Sequence, residues 1–157
     1  MFDEFKFDLP AQIYMSEAGL DTFRGLDELR VDDAAQKSIA LDVTQAFAAN
    51  TWRFNLKSDS GREGTLVLPL PGTMVKYKVD MHDNQPNTET SLYKELRFKG
   101  NVASGTGLFR KDIVKGTAFF LVFQGRGNGC DSSADYSNWR LELSGPKASY
   151  AFFGKLN

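Results

Sequence analysis

From Thr51 onward, apolar residues recur at every second position, which is the signature of strands with one buried face. "WRFNL" places Trp52, Phe54 and Leu56 on one side. "MVKYKVDM" turns Val75, Tyr77, Val79 and Met81 inward and Lys76, Lys78 and Asp80 outward. "SLYKELRFKG" alternates through Leu92, Lys94, Leu96 and Phe98 and stops at Gly100. "TAFFLVFQ" is apolar on both faces and reads as a central strand. "TLVLPLPG" is a short strand that Pro69 and Pro71 confine to an edge or a strand end. "NVASGTGLFRKDIVKG" holds one short strand among turns, and "NWRLELSG" and "SYAFFGKL" close the chain with two more. Near the start, "FKFDLP" alternates through Phe5, Phe7 and Leu9 until Pro10 ends the strand.

One segment breaks the pattern. In "DDAAQKSIALDVTQAFAAN", Ile39, Val43, Ala46 and Phe47 fall at helical spacing. Asp32 or Asp33 can cap the first turn, and Asn50 can stop the last. The segment predicts a helix, with a strand over "KSIALDV" as the alternative. Together these elements predict one mainly β domain over residues 1–157. The fold class is a single antiparallel β-barrel or β-sandwich of about eight to ten short strands, with one helix in the N-terminal half.

Composition agrees with a folded core and narrows the function. Hydrophobic residues are 41% and aromatic residues 13%, enough apolar material for one core of pleated surfaces. The net charge of −1 gives no global attraction for nucleic acid or an anionic membrane. A single Cys excludes an internal disulfide, and a single His excludes a multi-histidine metal site. No apolar run approaches the ~18 residues of a transmembrane segment. No secretory leader is recognisable, although "FDEFKFD" does not resemble the start of a full precursor.

Few residues carry chemistry by type and spacing. His82 lies between Asp80 and Asp83, but neighbours on a strand point to opposite faces. Cys130 is followed by Asp131, a charge that opposes thiolate formation. In "NGCDSSADYSN", Asn128, Asp131, Ser133 and Asp135 are hard oxygen donors in a turning loop, a candidate calcium site without the EF-hand order. The same residue types also dominate ordinary turns. The "GRG" of Gly125, Arg126 and Gly127 leaves a guanidinium unshielded for a carboxylate on a partner. Lys94, Arg97, Lys99, Arg110, Lys111 and Lys115 form a basic middle segment, whereas acidic residues concentrate in the N-terminal third.

Several of these pieces, from about Pro69 to Leu143, resemble the manganese-stabilising extrinsic protein of photosystem II. "DNQPNTETSLYKELRFKGNV", "FRKDIVKGTAFFLVFQGRG" and "DYSNWRLEL" are collinear with runs of that family. The family's N-terminal cysteine pair has no counterpart, and only "SGPKASYAFFGKLN" follows where the family continues. The resemblance implies a non-enzymatic β-barrel in the thylakoid lumen that docks on a membrane complex. The matching docking positions are Lys99, Arg110 and Arg126, with Gly125 and Gly127 allowing close approach.

The leading expectation is therefore a non-catalytic protein that binds a protein complex through its basic segment and the loop from Gly125 to Asn138. A small ligand or glycan in an aromatic-lined cavity is the second expectation. A carboxylate-dependent hydrolase using a pair such as Asp80 and Glu95 is the third. No set of nucleophile, base and metal ligands converges in the sequence, and this weighs against an enzyme.

Overall fold

The structure, a computed structural model, describes residues 11–15, 36–46, 51–57, 61–69, 75–80, 92–128 and 132–156. These contain ten strands: β1 (Ala11–Met15), β2 (Gln36–Ala46), β3 (Thr51–Lys57), β4 (Glu63–Pro69), β5 (Val75–Asp80), β6 (Leu92–Asn101), β7 (Ser104–Gly107), β8 (Ala118–Gly127), β9 (Tyr136–Ser144) and β10 (Ser149–Lys155). Their hydrogen-bonded order is β5-β6-β8-β9-β10-β1-β2-β3-β4-β7. Every pairing is antiparallel, and the strands form two sheets, neither closed into a barrel. β8 is paired on both sides, by β6 and β9, so its two apolar faces reflect the predicted central position.

The core lies between the inner faces of the two sheets. β3 and β4 supply Trp52, Phe54, Leu56, Leu66 and Leu68; β6, β8, β9 and β10 supply residues including Phe98, Phe123, Trp139 and Phe152. The alternation read from "WRFNL" holds, with its three apolar residues all buried. Rings meet across the layers: Trp52 and Phe123 are 5.6 Å apart at their centroids, and Phe54 and Trp139 are 6.1 Å apart. Each such buried ring contributes on the order of 2–3 kcal/mol, with about 1 kcal/mol more for a well-oriented pair.

The turn after β7 completes the core. Gly107 has φ +62°, a backbone region that favours glycine, and a Cβ there would overlap the Glu63 carbonyl. This turn tucks Leu108 and Phe109 inward, and Phe109 packs edge-on against Phe152 at 6.1 Å.

Two sequence expectations are corrected. The predicted helix is β2. Ile39 and Val43 fit helical spacing, but with Leu41 they fit strand spacing equally. β-branched Ile39, Val43 and Thr44 favour the strand. The partner decides: β3 pairs with β2 over seven positions, setting Leu41 opposite Leu56 and Val43 opposite Phe54. The second correction concerns β5. Val75 was expected inside but is 59% exposed. β5 ends the strand order, and Val75 is registered with Arg97 on the outer side of β6. The strand predicted over "FKFDLP" and the polar loop "HDNQPNTET" lie outside the described residues.

Candidate functional site

Antiparallel register sorts β6, β8 and β9 into two faces. On the inner face, Lys94 is opposite Gly125, Leu96 opposite Phe123, and Phe98 opposite Leu121. On the outer face, Tyr93 is opposite Arg126, Glu95 opposite Gln124, Arg97 opposite Val122, and Lys99 opposite Phe120. β9 extends these outer rows with Asn138 beside Gln124, Arg140 beside Val122, and Glu142 beside Phe120.

The outer face carries a connected polar array. Gln124 Nε2 donates to the Tyr93 hydroxyl at 3.0 Å and to Glu95 Oε1 at 3.3 Å. Arg97 Nη2 donates to Glu95 Oε2 at 2.7 Å. On β9, in the same row as Arg97, Arg140 Nε donates to Glu142 Oε1 at 2.7 Å. The Glu95 side chain is only 10% exposed, whereas that of Arg97 is 40% exposed. Glu95 is thus the buried member of the pair and Arg97 the more exposed one. Burial alone would raise the Glu95 pKa; hydrogen bonds from Arg97, Gln124 and Tyr93, with the Arg97 charge, outweigh it and lower the pKa below the ordinary value. Burial, reinforced by the charge of Glu95 and a hydrogen bond to it, raises the Tyr93 pKa. At the far end of this face, Lys99 Nζ stands 5.0 Å from the Phe120 ring centroid.

The inner face explains the glycines of "GRG". Lys94 is completely buried and forms an ion pair with Asp135, whose side chain is 21% exposed. Asp135 ends a 3-10 turn, Ser133–Asp135, in which Ser132 caps the backbone N–H of Ala134. A Cβ on Gly125 would overlap the Asp135 carbonyl, and a Cβ on Gly127 would overlap the Asp135 carboxylate. The close backbone approach inferred from these glycines is therefore made by Asp135 of the same chain.

The predicted site residues thus separate. Gly125 and Gly127 belong to strand β8, not to a loop, and Gly125 is buried. Arg126 is exposed on the outer face and Lys99 is exposed on the same face, six residues along β8 by register and roughly 20 Å away. Arg110 is exposed on the connection between β7 and β8, off the sheet face. Lys94, expected to steer partners from the surface, is instead an interior charge.

Of the calcium donors, Asn128 is exposed after β8, Ser133 is partly buried in the 3-10 turn, and Asp135 engages Lys94. Asp131, with Cys130 and His82, lies outside the described residues. No cluster of three or more His, Cys, Asp or Glu occurs among the described residues. Of the suggested acid pair, Asp80 is registered with Leu92 and Glu95 with Tyr77.

Sequence reasoning missed Tyr93, Gln124 and Arg140. The signal was present as alternation in "YKELRFK" and "NWRLEL", but only the order β6-β8-β9 makes those outer residues neighbours. Among the described residues, no helix is long and apolar enough to cross a membrane. Comparison of the chain with protein-family models, with curated proteins and with solved structures gives no match.

Proposed function

We propose that this protein is a non-catalytic binding protein that docks on a larger protein complex through the outer face of β6, β8 and β9. The observation that carries the reading is the hydrogen-bonded array of Tyr93, Gln124, Glu95 and Arg97 on the outer face of the sheet, with the Arg97 side chain 40% exposed. An exposed arginine held by a buried carboxylate loses less freedom on binding than a mobile one, so it suits an interface anchor. The face is also electropositive: Arg97, Lys99, Arg126, Arg140 and Lys155 stand on it against Glu95 and Glu142. The interior offers less, since large aromatic side chains from both sheets pack there.

The resemblance to the extrinsic protein of photosystem II makes a photosynthetic membrane complex in the thylakoid lumen the partner to try first. The test is co-sedimentation of the purified protein with photosystem II membranes stripped of extrinsic subunits. Saturable, salt-sensitive binding that Arg126→Glu and Lys99→Glu weaken is the expected result. Binding that is absent, or indifferent to both reversals, removes this reading.

A further inference from the structure

We infer that the outer edge of β5 takes an extended acidic segment of the docking partner, which joins the sheet as one more antiparallel strand. The inference rests on the docking reading and names the segment recognised beside the outer face. β5 ends the hydrogen-bonded order, and among the described residues it pairs with β6 alone. An edge strand turns a row of N–H and C=O groups away from its neighbour, and those groups template another strand. The opposite end of the order is less selective. β7 has four residues, Ser104–Gly107, and two of them are glycines. β5 has six, with different chemistry on its two faces.

Those faces define what the added strand carries. Val75 and Val79 are registered with Arg97 and Tyr93, residues of the outer face of β6. Val75 is the one exposed large apolar side chain among the described residues, and Val79 is half-buried. A strand laid along this edge would cover Val75 with an apolar neighbour, continuing the outer face. Lys76 and Lys78 lie on the other side, registered with Leu96 and Lys94, and both are exposed. Lys78 and Lys94 are like charges directly opposite, an arrangement that weakens a sheet. Asp135 engages Lys94. A carboxylate across from Lys78 on the added strand would bring a second negative charge to this row.

The partner segment therefore alternates acidic residues, opposite Lys76 and Lys78, with apolar residues, opposite Val75 and Val79. The same lysines reject a second copy of this chain. Two β5 edges paired antiparallel would gather four lysines on one face.

The experiment uses the intact protein and the capped peptide acetyl-Thr-Val-Glu-Val-Glu-Val-amide, with Lys in place of both Glu as the control. Amide hydrogen exchange followed by NMR reads each backbone N–H of β5. In the free protein, protection should alternate along the strand, because only every second amide faces β6. The Glu peptide should slow the remaining amides by about tenfold or more at saturation, and the Lys peptide should leave them unchanged. The double variant Lys76→Glu, Lys78→Glu, at two exposed positions, should reverse this preference. Methylating alternate nitrogens of the Glu peptide, in either phase, separates strand pairing from charge attraction. One phase should abolish binding and the other retain it.

Uniformly slow exchange along β5 in the free protein overturns the open edge. Protection that rises with protein concentration alone assigns the edge to a second copy and overturns the partner strand. Equal responses to the Glu and Lys peptides overturn the acidic segment, and binding that survives both methylation phases overturns strand pairing. Excess Glu peptide should also displace the protein from the stripped membranes. Peptide pairing that leaves membrane binding unchanged overturns the assignment of this edge to the docking partner. Peptide pairing by a protein that binds no stripped membrane supports the edge site and removes only the choice of complex.

Discussion

Lys94 and Asp135 are unequal partners, and their inequality predicts which substitution hurts more. The ammonium is fully buried, whereas the carboxylate keeps about a fifth of its side chain exposed. Asp135→Asn removes the carboxylate that this interior cation engages, a change expected to cost about 3–5 kcal/mol. Lys94→Met removes that cation, keeps the apolar stem, and leaves a carboxylate that water can reach. It should cost less, about 1–3 kcal/mol. Urea unfolding of the two variants checks the order, and a milder effect for Asp135→Asn would refute it. Glu95 gives a pH prediction by the same reasoning. Its folded pKa is below the ordinary value, so its contribution is present above the unfolded pKa and is lost as pH falls through the folded one. Glu95→Gln should therefore flatten the acid limb of the stability profile; an unaltered acid limb would show that Glu95 contributes nothing there.

At the scale of elements, β8 and the segment entering β9 are fitted through absent side chains. Gly125→Ala would drive a methyl group into the Asp135 backbone, which cannot step aside as a side chain can. Gly127→Ala meets the Asp135 carboxylate, which can swing out at the expense of the Lys94 pair. The expected costs are about 3 kcal/mol or more for Gly125→Ala and about 1–3 kcal/mol for Gly127→Ala. Arg126→Ala, between them but exposed, should stay within about 0.5 kcal/mol. Denaturant midpoints at constant m-value read all three, and an Arg126→Ala loss as large as that of Gly125→Ala would contradict the exposed placement. Because Lys94 engages Asp135, millimolar calcium should not raise the melting temperature; a rise abolished by Asp135→Asn would establish the calcium site. These contacts also mark what sequence could tell. Alternation identified β3, β6 and β8, because their periods follow from burial of one face or both. It failed at β2, where Ile39 and Val43 satisfy two periods and pairing with β3 makes the choice. It misjudged Val75 because edge position depends on strand order, which local pattern does not encode. For the site, it found Arg126 and Lys99 as exposed cations. It missed the array around Glu95, which assembles from three strands distant in sequence.

The whole molecule holds two populations of charge that respond unequally to salt. The Lys94–Asp135 pair has a fully buried ammonium and a carboxylate about a fifth exposed, so mobile ions screen it weakly. The cations of the outer face stand in solvent, where raising salt from 0.1 M to 1 M shortens the screening length from about 10 Å to about 3 Å. The chain's charge is also uneven: residues 1–35 carry three basic and nine acidic side chains, and residues 36–157 carry sixteen and eleven. The net values of −6 and +5 sum to the −1 of the chain, so its overall charge conceals the basic sheet face. If this face steers docking, sodium chloride over that range should slow association by on the order of tenfold or more. Dissociation should change much less, because contacts already formed exclude the added ions. The unfolding midpoint should scarcely move, because the interior pair and the aromatic core do not depend on screening. Stopped-flow association with stripped membranes, paired with thermal melts in the same buffers, separates the two populations. Association indifferent to salt would disqualify the outer-face cations as the steering element. A melting temperature that fell together with the association rate would instead locate the salt sensitivity in the fold itself.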